Sequence, residues 1–220
     1  MMRVLAFDAA LARCSAAVVV DGITIAERRV DTARGHAAQL PILVQQVMEE
    51  ARCAPTAIDV IAVTVGPGSF TGLRAALALA HGLSLATGGR LVGVSVGEAL
   101  AAAFPHLGRR TLWSAIDTRR GSVFLERDGT ITTVALDDLP RTDIPVAIAG
   151  DAAPAVASAL AARDADVLLT DARVPTAPQV ALAALRRLAG SLPPRDTQPI
   201  YVDPPQARRP TAGPGPSPAP

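Results

Sequence analysis

The sequence predicts an α/β protein of two small lobes. Short apolar runs rich in β-branched residues alternate with segments of helical periodicity. An apolar strand ending in aspartate and followed by an Asp-Gly hairpin occurs twice, as "RVLAFD" with "SAAVVVDGITIAERRV" and as "TLWSAID" with "SVFLERDGTITTVAL". One near-continuous apolar run, "DVIAVTV" at 59–65, has the composition of a central buried strand.

Residues 3–8 form the first strand. Residues 15–22 and 23–30 flank Asp21-Gly22, a strong hairpin signal, so three strands in meander order open the chain. In 36–53, Leu40, Leu43, Val47 and Ala51 recur at helical spacing, while Gln45, Gln46, Glu49 and Glu50 fall largely elsewhere. Pro41 is tolerated only in a first turn, so the regular helix is expected to start near Leu40. The strand at 59–65 leads through a glycine-rich turn into a helix from about Thr71 to Thr87. A strand at 91–96 and a short helix at 97–104 complete a first lobe, 1–104. The second, smaller lobe, 105–203, holds a strand at 111–117 and a hairpin at 122–136 around Asp128-Gly129. A strand at 146–150 and helices at 153–163 and 177–190 follow. From Pro204 the composition is mostly Pro, Gly, Ala and Ser, which cannot bury enough apolar surface to offset its ordering entropy. Residues 204–220 read as a disordered tail.

A chain of 220 residues can bury a sizeable core. Its apolar runs stay short of the roughly 18 residues that span a bilayer, and Asp8 arrives too early for a signal peptide, so a cytoplasmic, non-membrane protein is expected. The formal net charge of +1 excludes a strongly cationic nucleic-acid binder; any RNA contact would be local or shared with a partner. Cys14 and Cys53 fit no metal spacing and read as buried thiols of a reducing compartment. No lysine occurs, which removes the Walker A clamp, Schiff-base chemistry and the kinase-type β3 lysine.

"VGPGSFTGLRAALALAHG" at 65–82 is a glycine-rich turn feeding a helix. Gly66 and Gly68 can take backbone angles closed to other residues, Ser69 or Thr71 can cap the helix, and free amides at its start would suit an anion. The alternative is a capped turn with nothing bound. Asp8 and Asp117 end the first strands of the two lobes and could face one cleft, holding Mg²⁺ with a nucleotide or exchanging protons. Equally, each could only terminate its strand. His36, His81 and His106 are scattered; Leu40 stands four residues after His36, where a helical zinc site needs a second histidine. The helix after the turn is apolar on nearly every face, so a sheet can cover one side only, and a protein interface on the other is expected.

The ordered set "RVLAFDAA", "ERRVDTARGHAAQLPILVQQVM", "AVTVGPGSFTGLRAALALAHGL", "GVSVGEALA", "AIDTRRGSVFLE" and "PIYVDPP" resembles the TsaB (YeaZ) family over most of residues 3–203. The resemblance implies a two-lobed actin-like, Hsp70-like ATPase-type fold (ASKHA, ribonuclease H-like). It also implies a non-catalytic scaffold of the tRNA N6-threonylcarbamoyladenosine machinery, without cofactor or metal. The family's paralogue TsaD transfers threonylcarbamoyl to adenosine 37 of tRNAs reading ANN codons. Its metal-binding H-x-x-x-H corresponds here to "HAAQL", with one histidine lost. Implied partners are TsaD, the ATPase TsaE and a second copy of the chain, with tRNA met only through the complex. Pairing would use the helices at 36–53 and 70–87, with His36, Leu40, Leu43, Val47, Phe70, Leu73, Arg74, Leu77 and His81 as contacts. A charge at Leu77 would then weaken assembly and leave the fold partly intact. Asp8, Gly66, Gly68, Ser69, Thr71 and Asp117 would mark a vestigial nucleotide cleft.

Two departures bear on that cleft. Asp8-Ala9-Ala10 replaces the family's D-T-S, and "YVDPP" replaces Y-L-R-P. The alternative functions are an actin-like ATPase or phosphotransferase active on its own, disfavoured by the missing hydroxyls and lysines, and a glycoprotease-like metallopeptidase, disfavoured by the absent second histidine.

Overall fold

The computed structural model describes residues 1–32 and 35–202; the tail anticipated at 204–220 lies outside the described residues. β1 (Arg3–Leu11), β2 (Arg13–Val20) and β3 (Ile23–Asp31) form an antiparallel meander, and β4 (Val60–Gly66) and β5 (Arg90–Ser95) run parallel on the other side of β1. The sheet order is β3-β2-β1-β4-β5. The second sheet repeats it. β6 (Thr111–Asp117), β7 (Ser122–Arg127) and β8 (Thr130–Ala135) make the meander, β9 (Val146–Ala149) and β10 (Val167–Leu169) the parallel pair, in the order β8-β7-β6-β9-β10. The duplication legible in the sequence is therefore one of topology, and the molecule is an α/β protein of two lobes.

Both hairpins turn on Asp-Gly with positive φ at each residue, 48° and 83° at Asp21-Gly22 and 51° and 76° at Asp128-Gly129. That is the conformation a type I′ turn needs to match the twist of its strands.

Helices cover both faces of the first sheet. Side chains alternate along β1, so Leu5 and Phe7 point to one face and Val4 and Ala6 to the other. α1 (His36–Glu50) and α2 (Phe70–Thr87) pack on the first face through Leu40, Leu43, Val47, Ala76 and Leu77. The second face is covered by α5 (Ala177–Leu188), whose Val180, Ala181 and Ala184 meet Val4, Ala6, Val60 and Val92. α5 belongs to the stretch 105–203, so the last helix of the second half closes the first sheet.

The exchange is mutual. α3 (Val96–Ala101) sends Val96 and Leu100 into one cluster with Ile116 and Ala149 of the second sheet, joined by Leu73 of α2. α4 (Ala153–Ala161) covers the second sheet with Val156 and Leu160 against Trp113, Leu125 and Ile148.

Three expectations change. α1 begins at His36, four residues before Leu40, with Pro41 inside it. The hydrogen bond Pro41 cannot make would fall to the Ala37 carbonyl, and both residues are exposed, where water can serve that carbonyl. α3 ends at Ala101 instead of Phe104. The edge strand β10 had no counterpart in the sequence reading.

The final described stretch ties the halves. The Ile200 amide donates to the Val65 carbonyl at 2.8 Å, and Arg195 and Arg187 both pair with Glu98 of α3.

Candidate functional site

The glycine-rich turn leaves β4 through a cis Gly66-Pro67 bond and enters α2 at Ser69. Ser69 is the cap: its Oγ accepts from the Gly72 amide at 3.2 Å. Its own amide donates to the Ala10 carbonyl at 2.7 Å. Two amides of the candidate anion site are thus engaged within the chain. The packing is tight as well. A Cβ on Gly68 would lie 2.3 Å from the Ala10 carbonyl oxygen, and one on Gly72 only 2.0 Å from that of Ala9. These glycines let backbone meet backbone; they do not cradle a ligand.

Of the two readings open for Asp8 and Asp117, a shared cleft is not what the fold builds: Asp117 lines the cleft and Asp8 does not. Asp8 is fully buried and its Oδ1 accepts from Thr64 Oγ1 at 2.6 Å and from the Ala10 amide at 3.1 Å. Burial outweighs those bonds and the nearby Arg13, and the Asp8 carboxyl is pushed up to about 7. Its Oδ2 has no hydrogen-bond partner among the described residues.

Asp117 does line a cleft of about 1150 Å³ between the lobes, opposite Gly68, Ser69 and Phe70; Gly66 and Thr71 lie outside it. Its neighbours there are Arg119 and Asp151. The Arg119 guanidinium reaches Asp117 Oδ2 and Asp151 Oδ2, each at 3.2 Å, while the Asp117 amide donates to Asp151 Oδ1 at 2.8 Å. The Arg119 amide donates to Asp117 Oδ1 at 2.7 Å. All four carboxylate oxygens therefore have donors from this chain. Burial raises the Asp151 carboxyl above the ordinary aspartate value, against the Asp117 amide and Arg119.

His36 is buried against α2, 3.1 Å from where a Gly72 Cβ would stand, with its Nε2 donating to the Thr32 carbonyl at 2.9 Å. Among the described residues no three His, Cys, Asp or Glu side chains gather closely enough to hold a metal ion. No helix among them is long and apolar enough to cross a membrane.

The interface residues divide sharply. His36, Leu40, Leu43, Val47, Leu73 and Leu77 are buried within this chain and cannot be surface contacts as they stand; His36 and Leu77 are each 5% exposed. The face that α2 shows to solvent carries Phe70, Arg74, Ala78, His81 and Leu85, with Phe70 58% and Leu85 89% exposed. Ile42 of α1 is also exposed. α2 is apolar on nearly every face and gives no period from which to pick out Leu73 and Leu77 as buried; α1 has a period, but a period alone does not say whether the sheet or a partner covers Leu40, Leu43 and Val47.

One rim contact had no sequence signal. The Arg74 guanidinium stacks 3.8 Å over the Phe70 ring and donates to Tyr201 Oη at 3.2 Å, fixing α2 to the last described stretch. Tyr201 is 57% exposed.

A model of the family described as TsaD, tRNA N6-adenosine threonylcarbamoyltransferase, matches residues 30–173. The tRNA threonylcarbamoyladenosine biosynthesis protein TsaB of Escherichia coli (strain K12) is 35% identical over 124 residues, 56% of this chain and 53% of that one. A tRNA N6-adenosine threonylcarbamoyltransferase of Dinoroseobacter shibae is 45% identical over 83 residues, 34% of this chain and 23% of that enzyme. The chain thus spans about half of the TsaB relative and under a quarter of the transferase. Among solved structures, a Pseudomonas aeruginosa protein described as similar to the peptidase YEAZ superposes with a TM-score of 0.77 at 25% identity. That match covers 92% of this chain and all of the other. Component A of the Acidaminococcus fermentans (R)-2-hydroxyglutaryl-CoA dehydratase shares the fold, at TM-score 0.52 and 13% identity over 86% of this chain and all of that one.

Proposed function

The chain belongs to the TsaD family as a paralogue of the TsaB/YeaZ type, and from that premise we propose that it is a non-catalytic scaffold in tRNA threonylcarbamoyladenosine biosynthesis. It pairs with a TsaD-type subunit and supports that subunit's modification of adenosine 37. TsaE joins the pair, tRNA is met only through the assembly, and the setting is the cytoplasm.

The observation that carries this reading is the solvent face of α2. A helix covered on one side by the sheet and α1 presents Phe70, Ala78 and Leu85 outward, a row of apolar groups with no acidic residue among them. Fully covering such side chains contributes on the order of 1.5–3 kcal/mol each. Phe70, Arg74 and His81 therefore stay in the proposed interface, while Leu40, Leu43, Val47, Leu73 and Leu77 support it from within. A second copy of the chain could use the same face in a homodimer when the partner is absent.

The cleft favours a supporting role over turnover. Its two carboxylates are bridged by Arg119, its glycine-rich turn is filled by the Ala9 and Ala10 carbonyls, and Asp8 is withdrawn from it. The test is reconstituted tRNA modification from purified TsaD, TsaE, threonylcarbamoyl-adenylate synthase, ATP, threonine and bicarbonate, with and without this chain. A requirement for the chain, lost in Leu85→Glu without loss of fold, is the expected result. ATP turnover by the chain alone, with modification indifferent to it, would replace the scaffold by an ATPase or phosphotransferase.

A further inference from the structure

The joint between the lobes holds a second buried carboxyl, apart from the cleft and the α2 face. Glu126 of β7 is 7% exposed and reaches across to the start of α3, where Ser95 Oγ donates to its Oε1 at 2.7 Å and the Gly97 amide to its Oε2 at 3.1 Å. Its hydrogen-bond donors are neutral. Contact is close enough to require glycine: a Cβ on Gly97 would stand 2.2 Å from Glu126 Oε2 and 2.6 Å from Ser114 Oγ.

Ser114 lies directly opposite Glu126 in the β6–β7 pairing, is buried, and its Oγ has no hydrogen-bond partner among the described residues. An orphaned hydroxyl beside a buried carboxyl that no guanidinium bonds is an unstable combination unless a proton is shared there.

We propose that Glu126, Ser114 and the start of α3 form a proton-operated latch between the lobes. In the closed state the acid form of Glu126 donates its hydrogen to Ser114 Oγ, after a small side-chain rotation, while still accepting from Ser95 and Gly97. In the open state the proton has gone to solvent, Glu126 is a carboxylate, and its repulsion by Glu98 on α3 loosens the helix from the second sheet. The proton is the only species exchanged.

Each element packed on Glu126 contributes. α3 brings Glu98, which disfavours a second charge; the C-terminal stretch brings Arg195, which favours one but is itself bound to Glu98, as is Arg187 of α5. β6 brings Ser114, and β8 places Ile131 opposite. Burial, joined by the Glu98 charge, raises the Glu126 carboxyl above the ordinary glutamate value despite the bonds from Ser95 and Gly97 and the pull of Arg195. Val96 and Leu100 of α3 share a cluster with Leu73 of α2, so release of α3 would also be felt at the root of that helix.

The chain contains its own reporter. Trp113 is its one tryptophan, next to Ser114, with the guanidinium of Arg127, the neighbour of Glu126, 5.4 Å from its ring centre. Trp113 fluorescence of the full chain is titrated from about pH 4.5 to about pH 8.5, with circular dichroism confirming the fold at each point. The wild type should show a transition with its midpoint above the roughly 4.3 of a free glutamate. Glu126→Gln should abolish it and keep the acid-side signal. Ser114→Ala should lower the midpoint by at least about half a pH unit, because the acid loses its acceptor. Asp8→Asn and Asp151→Asn should leave it in place. A flat wild-type trace, a Glu126→Gln trace that still titrates, loss of the transition in either aspartate variant, or an unmoved midpoint in Ser114→Ala overturns the proposal. The last criterion stands even if Glu126→Gln fails to fold.

Discussion

The amide of Ser69 donates to the carbonyl of Ala10 at 2.7 Å, joining the start of α2 to the end of β1. Gly68 is the residue that permits this approach. Gly68→Ala would force its Cβ onto the Ala10 carbonyl, 2.3 Å away, in a place where backbone has to move. Destabilisation of about 1–3 kcal/mol is expected, from the ordinary cost of overpacking. Urea unfolding checks it; a midpoint equal to wild type would show the turn to be loose.

The buried and exposed faces of α2 should answer differently to a charge. Leu77→Glu places an unpaired carboxylate among Leu40, Leu43 and Phe7 and should unfold the chain. Leu85→Glu lies on the 89% exposed position and should keep the wild-type melting temperature while weakening partner binding at least tenfold, or about 1.4 kcal/mol. Circular dichroism and calorimetric titration with a TsaD-type subunit separate the two.

Asp8 makes stability depend on pH with a definite sign. Its carboxyl stands at about 7 in the folded chain against 3.8 when free. Between those values the folded state holds a proton the unfolded state has released, so this contribution to stability is present in acid and lost as pH rises through 7. Asp8→Asn keeps an acceptor for Thr64 and cannot ionise. It should therefore gain stability over wild type from about pH 4 upward, reaching a constant excess above about pH 7. Equal stability of the two at pH 8 would refute the burial argument.

Glu98 is the hub of a buried ion network, with side chains of Glu98 and Arg187 only 9% and 7% exposed. Burial works against its charge, but the bonds from Arg195 and the Ser95 amide, with the Arg195 and Arg187 charges, hold the carboxyl below the ordinary glutamate value. Glu98→Ala strands two guanidinium groups and should cost about 3–5 kcal/mol. Arg195→Met, which still leaves Arg187 on Glu98, should cost clearly less. Thermal melts of both variants decide the order.

What the sequence disclosed follows from how local each signal is. Asp21-Gly22 and Asp128-Gly129 declared their hairpins because positive φ at both turn residues selects those side chains. The repeat of strand and aspartate disclosed two lobes, since each lobe restarts the same meander. β10 escaped because an edge strand of three residues carries no alternation. The destination of α5, the bridge from Arg119 to Asp151, and the Arg187 and Arg195 contacts to Glu98 escaped for another reason. Each joins residues at least 32 positions apart, and no short pattern encodes such a meeting. The roles of Asp8 and Asp117 were likewise undecidable by type: identical strand endings, one sealed by Thr64 and Ala10, the other open to the cleft.

The exchange of end helices gives the duplicated design a mechanical character. A protein of two lobes can in principle swing one half over the other. Here a swing would drag α5 off β1 and α3 off the second sheet, wetting Val4, Ala6 and Ile116 in the process. Cutting the chain at its midpoint would strip both sheets at once, so neither half is a module that could be lent to another protein. The two halves are laced together by helices that each borrows from the other, and the α3 lace is the one that carries the proposed proton release.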